Sequence, residues 1–443
     1  GRLKIICLFM QNPSFQNRIA SYYHSSINSG DAYPKLKGRL KTDTCIIGGG
    51  LSGLCTALPL AEAGHDVALI EAARIGYGAS GRSGGQIISD YAGGIPEIEQ
   101  QLGEAQAQWF WQQSLDAVEL VDARVRQHNI QCDWTRGYAT VAIRPKHFDA
   151  LMQWQQHAQQ RYGAHHFELW DANRLQQHLA SERYRGALYD PLSGHLHPLN
   201  YTLGIAPAAA AAGAHIYEQT PFVRLSPKGS EGYIVHTPEA SIECRQVVFA
   251  INTFAGLNNS RAVRPLTRKA MPVSTFIIAT EPLGEAARDL IRNNMAVCDN
   301  RHILDYYRLS ADGRLLFGGK DSEWIHDARR MAKAVRRDML KVFPQLESAR
   351  IEYAWGGDCD ITLNLAPHFG RLNKQLYFMQ GYSGHGMALT GIAGLAAAEA
   401  IMGDGSRLAH FEHLHHRNII GGRYLRIPAS MIGSTYYRLK DAR

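Results

Sequence analysis

A glycine-rich turn that follows a short apolar strand is the first feature of this sequence with the residue types and spacing to bind a ligand. The strand is Thr44–Ile47, and glycines at 48, 50 and 53 follow it in the pattern G-x-G-x-x-G. In this pattern Gly48 allows a tight turn, Gly50 lets the backbone approach a pyrophosphate, and Gly53 lets the next helix pack close to the strand. The N–H groups at the start of that helix favour negative charge, so the turn predicts a dinucleotide site.

An acidic residue further along supports this interpretation. Glu71 closes the apolar run 67–70, about 20 residues after the turn, where a carboxylate holds a ribose hydroxyl. The carboxylate disfavours a 2′-phosphate and therefore NADP, whereas the motif alone does not distinguish NAD from FAD. Pro59 lies inside the predicted helix, where a proline costs about 3 kcal/mol. We therefore expect either a kink in this helix or a second half that packing holds in place.

Two more glycine-rich segments could contact the same ligand. The glycines of 76–87 let backbone N–H groups wrap around a large planar group, and Ser80, Arg82 and Ser83 add donors. A flexible linker is the alternative, but NAD dehydrogenases do not usually need such a loop, so the segment indicates a flavin. The segment 381–387 joins a predicted strand to a predicted helix. Its helix start would stabilise negative charge on a reduced flavin, although such joints are also common in α/β proteins.

The remaining periodicity indicates alternating strands and helices around these segments. Residues 76–95 are predicted to be a long loop. Glycine-rich turns recur near 250 and 381, so we predict one nucleotide domain assembled from separated segments, with a second domain inserted. Apolar spacing predicts helices at 97–128, 146–162, 201–212, 284–294, 324–342 and 391–402, and strands at 138–143, 215–218, 233–237, 246–252, 273–280, 303–309, 314–318 and 376–380.

Composition narrows the class of protein. The chain has 443 residues, which is enough for two or three domains, and 45% of them are hydrophobic. No apolar run approaches the roughly 20 residues that span a bilayer, and the run 5–10 is too short for a signal peptide. We expect Met10 to be the natural start. The seven cysteines are scattered without a C-x-x-C pair, so we predict no disulfides, no metal site and a cytoplasmic protein.

The net charge of +7 is compatible with several partners. An acidic substrate, a membrane surface or a nucleic acid could each use it. Much of the excess lies in 417–443, which reads first as a solvated basic tail with at most weak contact to a membrane surface. Basic runs interleaved with aromatic residues are missing, so we predict that the protein does not bind nucleic acid.

Together these segments resemble the D-amino-acid-oxidase-like FAD-dependent oxidoreductases, the family that contains glycine oxidase and monomeric sarcosine oxidase. Within that family, the subgroup of gamma-glutamylputrescine oxidases is the most similar. The resemblance covers residues 40 to about 440. It rests on 48–53 with Glu71, on 78–86, on Gly194 with 197–198, on 249–252, on 305–308 with 314–319, on 355–357 through Thr362, Pro367 and Gly370, on 381–387, and on the tail 428–441.

The resemblance implies a bound FAD that removes hydride from a C–H next to an amine and is reoxidised by O₂ to give H₂O₂. The resulting imine hydrolyses to an aldehyde. It also implies that Val223 meets the adenine through its backbone, that Ala250 lies along the pyrophosphate, and that 383–387 reaches the carbonyl edge of the flavin. The predicted cofactor residues are Gly48, Gly50, Leu51, Ser52, Gly53, Glu71, Ala72, Gly78, Ala79, Ser80, Arg82, Ser83, Gly84, Gly85, Gln86, Val223, Ala250, Asn252, Cys359, Gly381, Ser383, Gly384, His385, Gly386 and Met387.

Cys359 departs from the pattern of the family. By its spacing from Trp355 and Thr362 it stands where glycine oxidase-like enzymes keep an arginine for the substrate carboxylate. The sarcosine oxidase-like pattern has there a cysteine bonded covalently to FAD. A covalent bond through Cys359 is therefore one interpretation, and a small side chain in the pocket wall is the one we favour.

The predicted catalytic residues are Tyr307, Arg308 and His385. Tyr307 and its neighbour Tyr306 could shape the substrate pocket, with core packing as the alternative, and Arg308 could bind a remote carboxylate. His385 could tune the flavin or the proton of the amine, with a hydrogen bond at the helix start as the alternative. Lys269 and Lys320 are weaker candidates for activating O₂, since a surface position is the usual place for a lysine.

We predict an α/β fold with a Rossmann-like FAD-binding domain assembled from separated segments and an inserted α+β substrate domain. The function predicted is oxidation of an amine, such as a gamma-glutamylated polyamine or alkylamine, with O₂ as acceptor. The alternatives are a D-amino-acid, glycine or sarcosine-type oxidase, or a quinone-linked dehydrogenase. The predicted domains are an N-terminal arm (1–39), the FAD-binding domain (40–100, 195–260 and 350–405), the substrate domain (101–194 and 261–349) and a basic C-terminal tail (406–443).

Overall fold

The structure is a computed structural model that describes residues 21–28, 30–256, 260–301, 303–321 and 328–419. The start at Met10, most of the basic tail and the side chain of Lys320 lie outside the described residues. Within them the strands form three sheets, of six, four and nine strands. We number helices and strands along the chain.

The six-stranded sheet holds the glycine-rich turn. Its four inner strands are apolar and almost wholly buried, and all strands pair in parallel except the antiparallel edge strand β18. This is the pattern of a parallel sheet covered on both faces. The strands in spatial order are β18 (His368–Asn373), β19 (Leu376–Gln380), β12 (Gln246–Phe249), β2 (Thr44–Ile47), β3 (Val67–Ile70) and β8 (His215–Tyr217).

Three helices pack together on one face of this sheet and enclose the largest apolar core. They are α2 (Leu51–Glu62), α7 (Pro198–Ala211) and α10 (Gly386–Met402). The helix α2 continues through Pro59 with Leu58, Leu60 and Ala61 buried beyond the first turns, so its second half is held by packing. The other face of the sheet packs against the four-stranded sheet. The latter consists of β1 (Gly38–Lys41), β11 (Ala240–Cys244), β10 (Tyr233–His236) and β9 (Arg224–Pro227).

The nine-stranded sheet forms the second half of the molecule and is mostly antiparallel. Helix α9 (Ala328–Val342) packs on β13, β16 and β17 of this sheet and closes a second core. Its path is β17 (Ile351–Thr362), β13 (Ala270–Thr280), β16 (Leu315–Asp321), β15 (Tyr306–Leu309), β14 (Ala296–Asp299), β5 (Thr135–Ala142), β7 (Gly186–His195) and β4 (Gln86–Ile87), with β6 (Glu168–Asp171) paired to β7.

The remaining helices surround these sheets. The region predicted as one helix at 97–128 is two helices, because Gly103 takes a positive φ of 84° between them. The helices predicted at 201–212 and 391–402 begin earlier, at Pro198 and Gly386. These other helices are α1 (Tyr22–Ser25), α3 (Ile95–Leu102), α4 (Glu104–Gln127), α5 (Pro145–Tyr162), α6 (Ala172–Gln176), α8 (Glu285–Leu290) and α11 (Ser406–Glu412).

The predicted fold class is confirmed: a Rossmann-like sheet is assembled from distant segments, and a mixed sheet is inserted between them. Two strands that lie within the predicted FAD-binding domain pair with the nine-stranded sheet instead. The domain boundaries themselves stay predictions. Strand β17 begins the predicted third segment of the FAD-binding domain but pairs with β13 of the nine-stranded sheet. Strand β4, inside the predicted loop 76–95, pairs with β7 of that same sheet. Both segments therefore pass from one half of the molecule to the other.

Candidate active site

The glycine-rich turn leads from β2 into α2 with almost no space for side chains. Gly48 has a φ of 118°, a conformation that favours glycine. A Cβ added at Gly48 would lie 2.4 Å from the carbonyl oxygen of Ala250, and one at Gly53 would lie 1.9 Å from the carbonyl oxygen of Gly48. Only glycine fits at positions 48 and 53, because any side chain there would collide with a backbone carbonyl. Such a turn leaves room for a pyrophosphate close to the backbone.

Glu71 lies directly beside this turn at the end of β3. Its carboxylate accepts hydrogen bonds from the N–H of Gly49 and the N–H of Ala73, each at 2.8 Å. Burial raises the pKa of Glu71, and the two backbone donors act in the opposite direction. Each carboxylate oxygen accepts one backbone bond and keeps a lone pair for a further donor, such as a ribose hydroxyl.

Hydrogen bonds join the three glycine-rich segments of the sequence. The N–H of Leu51 donates to Ser80 Oγ at 2.9 Å, and the hydroxyls of Ser52 and Tyr382 are 2.6 Å apart. The hydroxyl of Ser83 lies 3.0 Å from Met387 Sδ. The turn after β2, the loop after β3 and the segment before α10 therefore meet at one place, although more than 300 residues separate the first from the last.

These segments line one cavity of about 1510 Å³. It extends from Glu71 and Val223 on the six-stranded sheet to Tyr306 and Cys359 on the nine-stranded sheet. Among the predicted cofactor residues, these line the cavity: Gly48, Gly50, Leu51, Ser52, Glu71, Ala72, Gly78, Ala79, Ser80, Arg82, Ser83, Gly84, Gly85, Gln86, Val223, Ala250, Asn252, Cys359, Ser383, Gly384, His385, Gly386 and Met387.

Two predicted cofactor residues lie behind the cavity rather than in its wall. Gly53 faces the backbone of Gly48, and Gly381 packs against Thr362 and His368. A side chain at either position would collide with these neighbours, so both glycines are needed for the shape of the turns and not for contact with a ligand. A cavity that begins at the ribose carboxylate, passes a glycine turn and ends among aromatic residues fits an extended FAD.

Two of the three predicted catalytic residues are not in the cavity wall. Tyr307 is buried in the second core, where it stacks on Phe317 and its hydroxyl donates to Tyr184 at 3.0 Å. On β15 it points away from the side that Tyr306 occupies, because neighbouring residues of a strand face opposite ways. Tyr306 lines the cavity instead, and its ring packs against Gly84. Core packing, the alternative interpretation of Tyr307, is the one the contacts favour.

Arg308 is likewise fully used by the protein. Its Nε donates to the carbonyl of Gly84 at 2.8 Å, its Nη1 to the carbonyl of Leu309 at 3.1 Å, and its Nη2 to the hydroxyl of Tyr23 at 3.1 Å. The side chain is buried. This corrects the prediction that Arg308 binds a remote carboxylate: its donors hold the glycine loop against α1.

His385, the third predicted catalytic residue, lines the cavity at the start of α10. Burial lowers its pKa to about 4, so the imidazole is neutral near pH 7. Its buried Nδ1 has no hydrogen-bond partner among the described residues. A neutral imidazole has one donor and one acceptor nitrogen, and the ring of His385 is part of the cavity wall. Lys269, by contrast, does not line the cavity, and its ammonium donates to the carbonyl of His416 at 2.6 Å.

Cys359 lies in the cavity wall at the end of β17, between two carboxylates. Burial, together with Asp360 and Asp358, raises the pKa of its thiol to about 12. Asp360 Oδ2 accepts from the N–H of Gly381 at 2.5 Å, whereas Asp360 Oδ1 is buried without a partner in the described part of the chain. Burial raises the pKa of Asp360 to about 6. No arginine stands at position 359, although Arg82 lines the same cavity and its Nε donates to the carbonyl of Gly356 at 2.6 Å.

Sequence reasoning missed several polar residues of the cavity wall. Asp90 follows β4, Tyr138 lies on β5, and Asn300 and Arg301 follow β14. Only the pairing of β4 with β7 and of β5 with β14 brings these residues together. No motif marks them, since their spacing along the chain is irregular. In the described residues, no group of three or more His, Cys, Asp or Glu has the geometry to hold a metal ion.

A Rossmann-like sheet joined through this cavity to a mixed sheet is the arrangement of a nucleotide-binding protein with a second, ligand-facing domain. The sequence profile of the FAD dependent oxidoreductase family, DAO, matches residues 43–400. The chain is 45% identical to a probable oxidoreductase, OrdL, of Haemophilus influenzae over 98% of this chain and 99% of that one. It is 39% identical to the gamma-glutamylputrescine oxidoreductase of Escherichia coli over 95% and 98% of the two chains.

The fold is also found in a solved structure. Glycine oxidase from Geobacillus kaustophilus superimposes with a TM-score of 0.71 at 20% identity, covering 85% of this chain and all of the other. The chain belongs to the DAO family and is an FAD-dependent oxidoreductase. Among the residues that the structure describes, none of the helices has the length and apolar character to cross a bilayer.

Proposed function

We propose that this enzyme oxidises an amine, with gamma-glutamylputrescine or a related gamma-glutamylated polyamine or alkylamine as substrate. The observation that carries the proposal is the position of Cys359 in the cavity wall, where a thiol stands in place of the arginine that would bind an α-carboxylate. Burial raises the pKa of this thiol to about 12, so it stays neutral. An α-carboxylate next to the reacting nitrogen would find no guanidinium at this position, whereas an amine without one needs none.

The residues of the cavity would hold FAD along its length. The turn at Gly48 and Gly50 would admit the pyrophosphate, Glu71 would accept from the ribose, Val223 would meet the adenine, and the segment 383–387 would reach the flavin; these residues line the cavity. When bound, FAD supplies the acceptor for hydride from the carbon next to nitrogen, and O₂ takes the electrons as H₂O₂. The imine product is released and hydrolysed by water to the aldehyde.

Two groups of the cavity would act on the amine. Hydride leaves readily only from an uncharged amine, so a proton must be lost before the reaction. The imidazole of His385 lines the cavity and is neutral near pH 7, so it can hydrogen-bond to the N–H of the substrate. Tyr306 is half-buried in the cavity wall, and desolvation raises the pKa of its phenol, so it remains a neutral hydroxyl on an aromatic ring.

Arg301 is a better candidate than Arg308 for a remote carboxylate of the substrate. It lines the cavity, and its Nε and Nη2 contact Asp299 and Asp305. Two carboxylates already pair with this guanidinium, and Nη1, which has no acceptor among the described residues, is the group that would take a ligand carboxylate beside them. The gamma-glutamyl group carries such a carboxylate. The name of the Escherichia coli relative, gamma-glutamylputrescine oxidoreductase, supports the same substrate class.

The test is peroxide release by purified, flavin-loaded protein in air. The substrates are gamma-glutamylputrescine, putrescine, butylamine, glycine, sarcosine and several D-amino acids, with heat-inactivated protein as the control. We expect the highest kcat/KM for gamma-glutamylputrescine. Activity confined to D-amino acids, glycine or sarcosine would overturn the proposed substrate class. Anaerobic bleaching of the flavin by the amine, without peroxide in air, would replace O₂ by another acceptor.

A further inference from the structure

The carboxylate of Asp90 faces the cavity with few protein partners. Asp90 follows β4 and lines the cavity wall. Its Oδ1 accepts one hydrogen bond, from the N–H of Tyr91 at 2.7 Å. Within the described ranges no lysine, arginine or histidine lies within ion-pair distance of it. A carboxylate can accept about four hydrogen bonds, so most of the capacity of Asp90 is unused.

A second carboxylate behind Asp90 makes the region more negative. Asp190 accepts from the hydroxyls of Ser89 at 2.9 Å and Ser193 at 2.5 Å, all neutral donors. The imidazole of His166 is 3.7 Å from Asp190, and burial lowers the pKa of His166 and so favours its neutral form. Asp190 therefore adds negative charge near Asp90 without bringing a strong cation of its own.

The surroundings of Asp90 also favour a bound cation. Burial and the negative charge of Asp190 raise the pKa of Asp90, and the N–H of Tyr91 lowers it, with the result that the pKa is about 7. The buried Tyr138 ring is part of the same wall and is close enough to Asp90 to interact with its charge. Burial holds the pKa of Tyr138 well above its usual value, so the phenol stays neutral. An aromatic ring beside a carboxylate is a favourable site for an ammonium group.

A second unsatisfied acceptor lines the same cavity. The amide of Asn300 donates through Nδ2 to the carbonyl of His147 at 2.9 Å, but its buried Oδ1 has no partner among the described residues. Asp90 accepts from the N–H of Tyr91 alone, and Asn300 Oδ1 accepts from none of the described residues, so the wall holds unused acceptors.

From this arrangement we infer that Asp90 binds a second cationic group of the substrate, distinct from the nitrogen that is oxidised. The inference rests on the proposed amine oxidation. A carboxylate in contact with an amine favours its protonated form, whereas hydride loss requires the neutral form, so Asp90 is a poor partner for the reacting nitrogen. The substrate class is then an amine that carries a further ammonium group: in gamma-glutamylputrescine, the α-ammonium of the glutamyl end.

The experiment compares two substrates that differ only in this ammonium group. They are gamma-glutamylputrescine and N-glutarylputrescine, which lacks the α-amino group. The ratio of their kcat/KM values is measured for the wild type, for Asp90→Asn, for Asp90→Glu and for Asp289→Asn, an exposed aspartate that serves as the matched control. Flavin content and the unfolding temperature of each protein are recorded alongside.

We expect the wild type to prefer gamma-glutamylputrescine and the ratio to fall at least about tenfold in Asp90→Asn, because a hydrogen bond to a charged group is lost. Asp90→Glu should keep part of the preference, and Asp289→Asn all of it. The inference is overturned if Asp90→Asn keeps the wild-type ratio, or if the wild type shows no preference.

Two outcomes keep the inference separate from the proposed function. If the wild type oxidises neither compound, the proposed function fails. If it oxidises both equally well, only the role of Asp90 fails. Should Asp90→Asn not fold, Asp90→Glu and the wild-type preference measured between pH 6 and 8 replace it: the preference should rise as Asp90 ionises near pH 7, and a flat profile would contradict the inference.

Discussion

Replacing Gly53 by alanine tests whether the turn after β2 holds the cofactor. An added Cβ would lie 1.9 Å from the carbonyl oxygen of Gly48 and 3.3 Å from Ile46 Cγ2. Close C···O contacts in proteins are about 3.3–3.6 Å. The start of α2 must therefore move away from the turn by roughly 1.4 Å, which is the difference between the two distances.

Such overpacking against rigid backbone typically costs about 1–3 kcal/mol. Gly53 is not in the cavity wall, so it makes no contact with a ligand that the substitution could remove. The cost acts through the displaced N–H groups at the start of α2, and we expect FAD to bind about 5- to 150-fold more weakly, the equivalent of that energy. The dissociation constant is measured by quenching of flavin fluorescence during titration of the apoprotein.

Two further glycine variants separate cofactor binding from general destabilisation. Gly30→Ala meets only ordinary contacts, of 3.7 Å or more, and should match the wild type. Gly394→Ala places a Cβ 2.5 Å from the backbone of Cys55, between α10 and α2. It should lower the unfolding temperature with little effect on flavin affinity. Wild-type flavin affinity in Gly53→Ala would refute the assignment of this turn to the pyrophosphate.

Three other predictions follow from the contacts of the site. FAD should be fully released by acid precipitation, because burial raises the pKa of the Cys359 thiol to about 12 and suppresses the nucleophilic thiolate; flavin that stays in the pellet, and is lost from it in Cys359→Ser, would contradict this. Arg308→Leu should lower the free energy of unfolding by about 1–3 kcal/mol in urea titrations, because it leaves the Gly84 carbonyl unpaired; a selective rise in KM at unchanged stability would restore the carboxylate role. The pKa of His385 is lowered to about 4, so its imidazole is neutral above about pH 5. The kcat/KM profile should therefore show no inflection near pH 6.5 that belongs to His385. An inflection there that disappears in His385→Asn would contradict this.

The sequence was sufficient to predict the nucleotide half of the molecule because its motifs are local. The turn at 48–53 is fixed by backbone contacts, and Glu71 bonds directly to it. The loop 76–87 and the segment 381–387 also line the cavity, as their local sequences predict. In each of them, glycines stand next to the end of a strand or the start of a helix, and few structures other than a ligand-binding turn require that combination.

The substrate half could not be predicted in the same way. Tyr306 and Tyr307 are neighbours of the same type, and only the register of β15 decides that the first faces the cavity and the second the core. A shift of one residue would exchange them. Asp90 became part of the wall because β4 pairs with β7, across a separation of about a hundred residues. Pairing over such distances leaves no periodic trace in the sequence.

The net charge of the whole chain and the charges in the cavity wall lead to different expectations about the ligand. The net charge of +7 is compatible with an acidic substrate, a membrane surface or a nucleic acid, and much of it lies in the C-terminal tail. The cavity wall carries instead the carboxylates of Asp90, Asp358 and Asp360, with Asp90 lacking a cation of its own in the described residues. Interactions between charges fall off with distance and are screened by salt within about 10 Å, so a distant basic surface cannot offset a buried carboxylate. The groups next to Asp90, rather than the net charge of the chain, are therefore the basis for proposing a cationic ligand there.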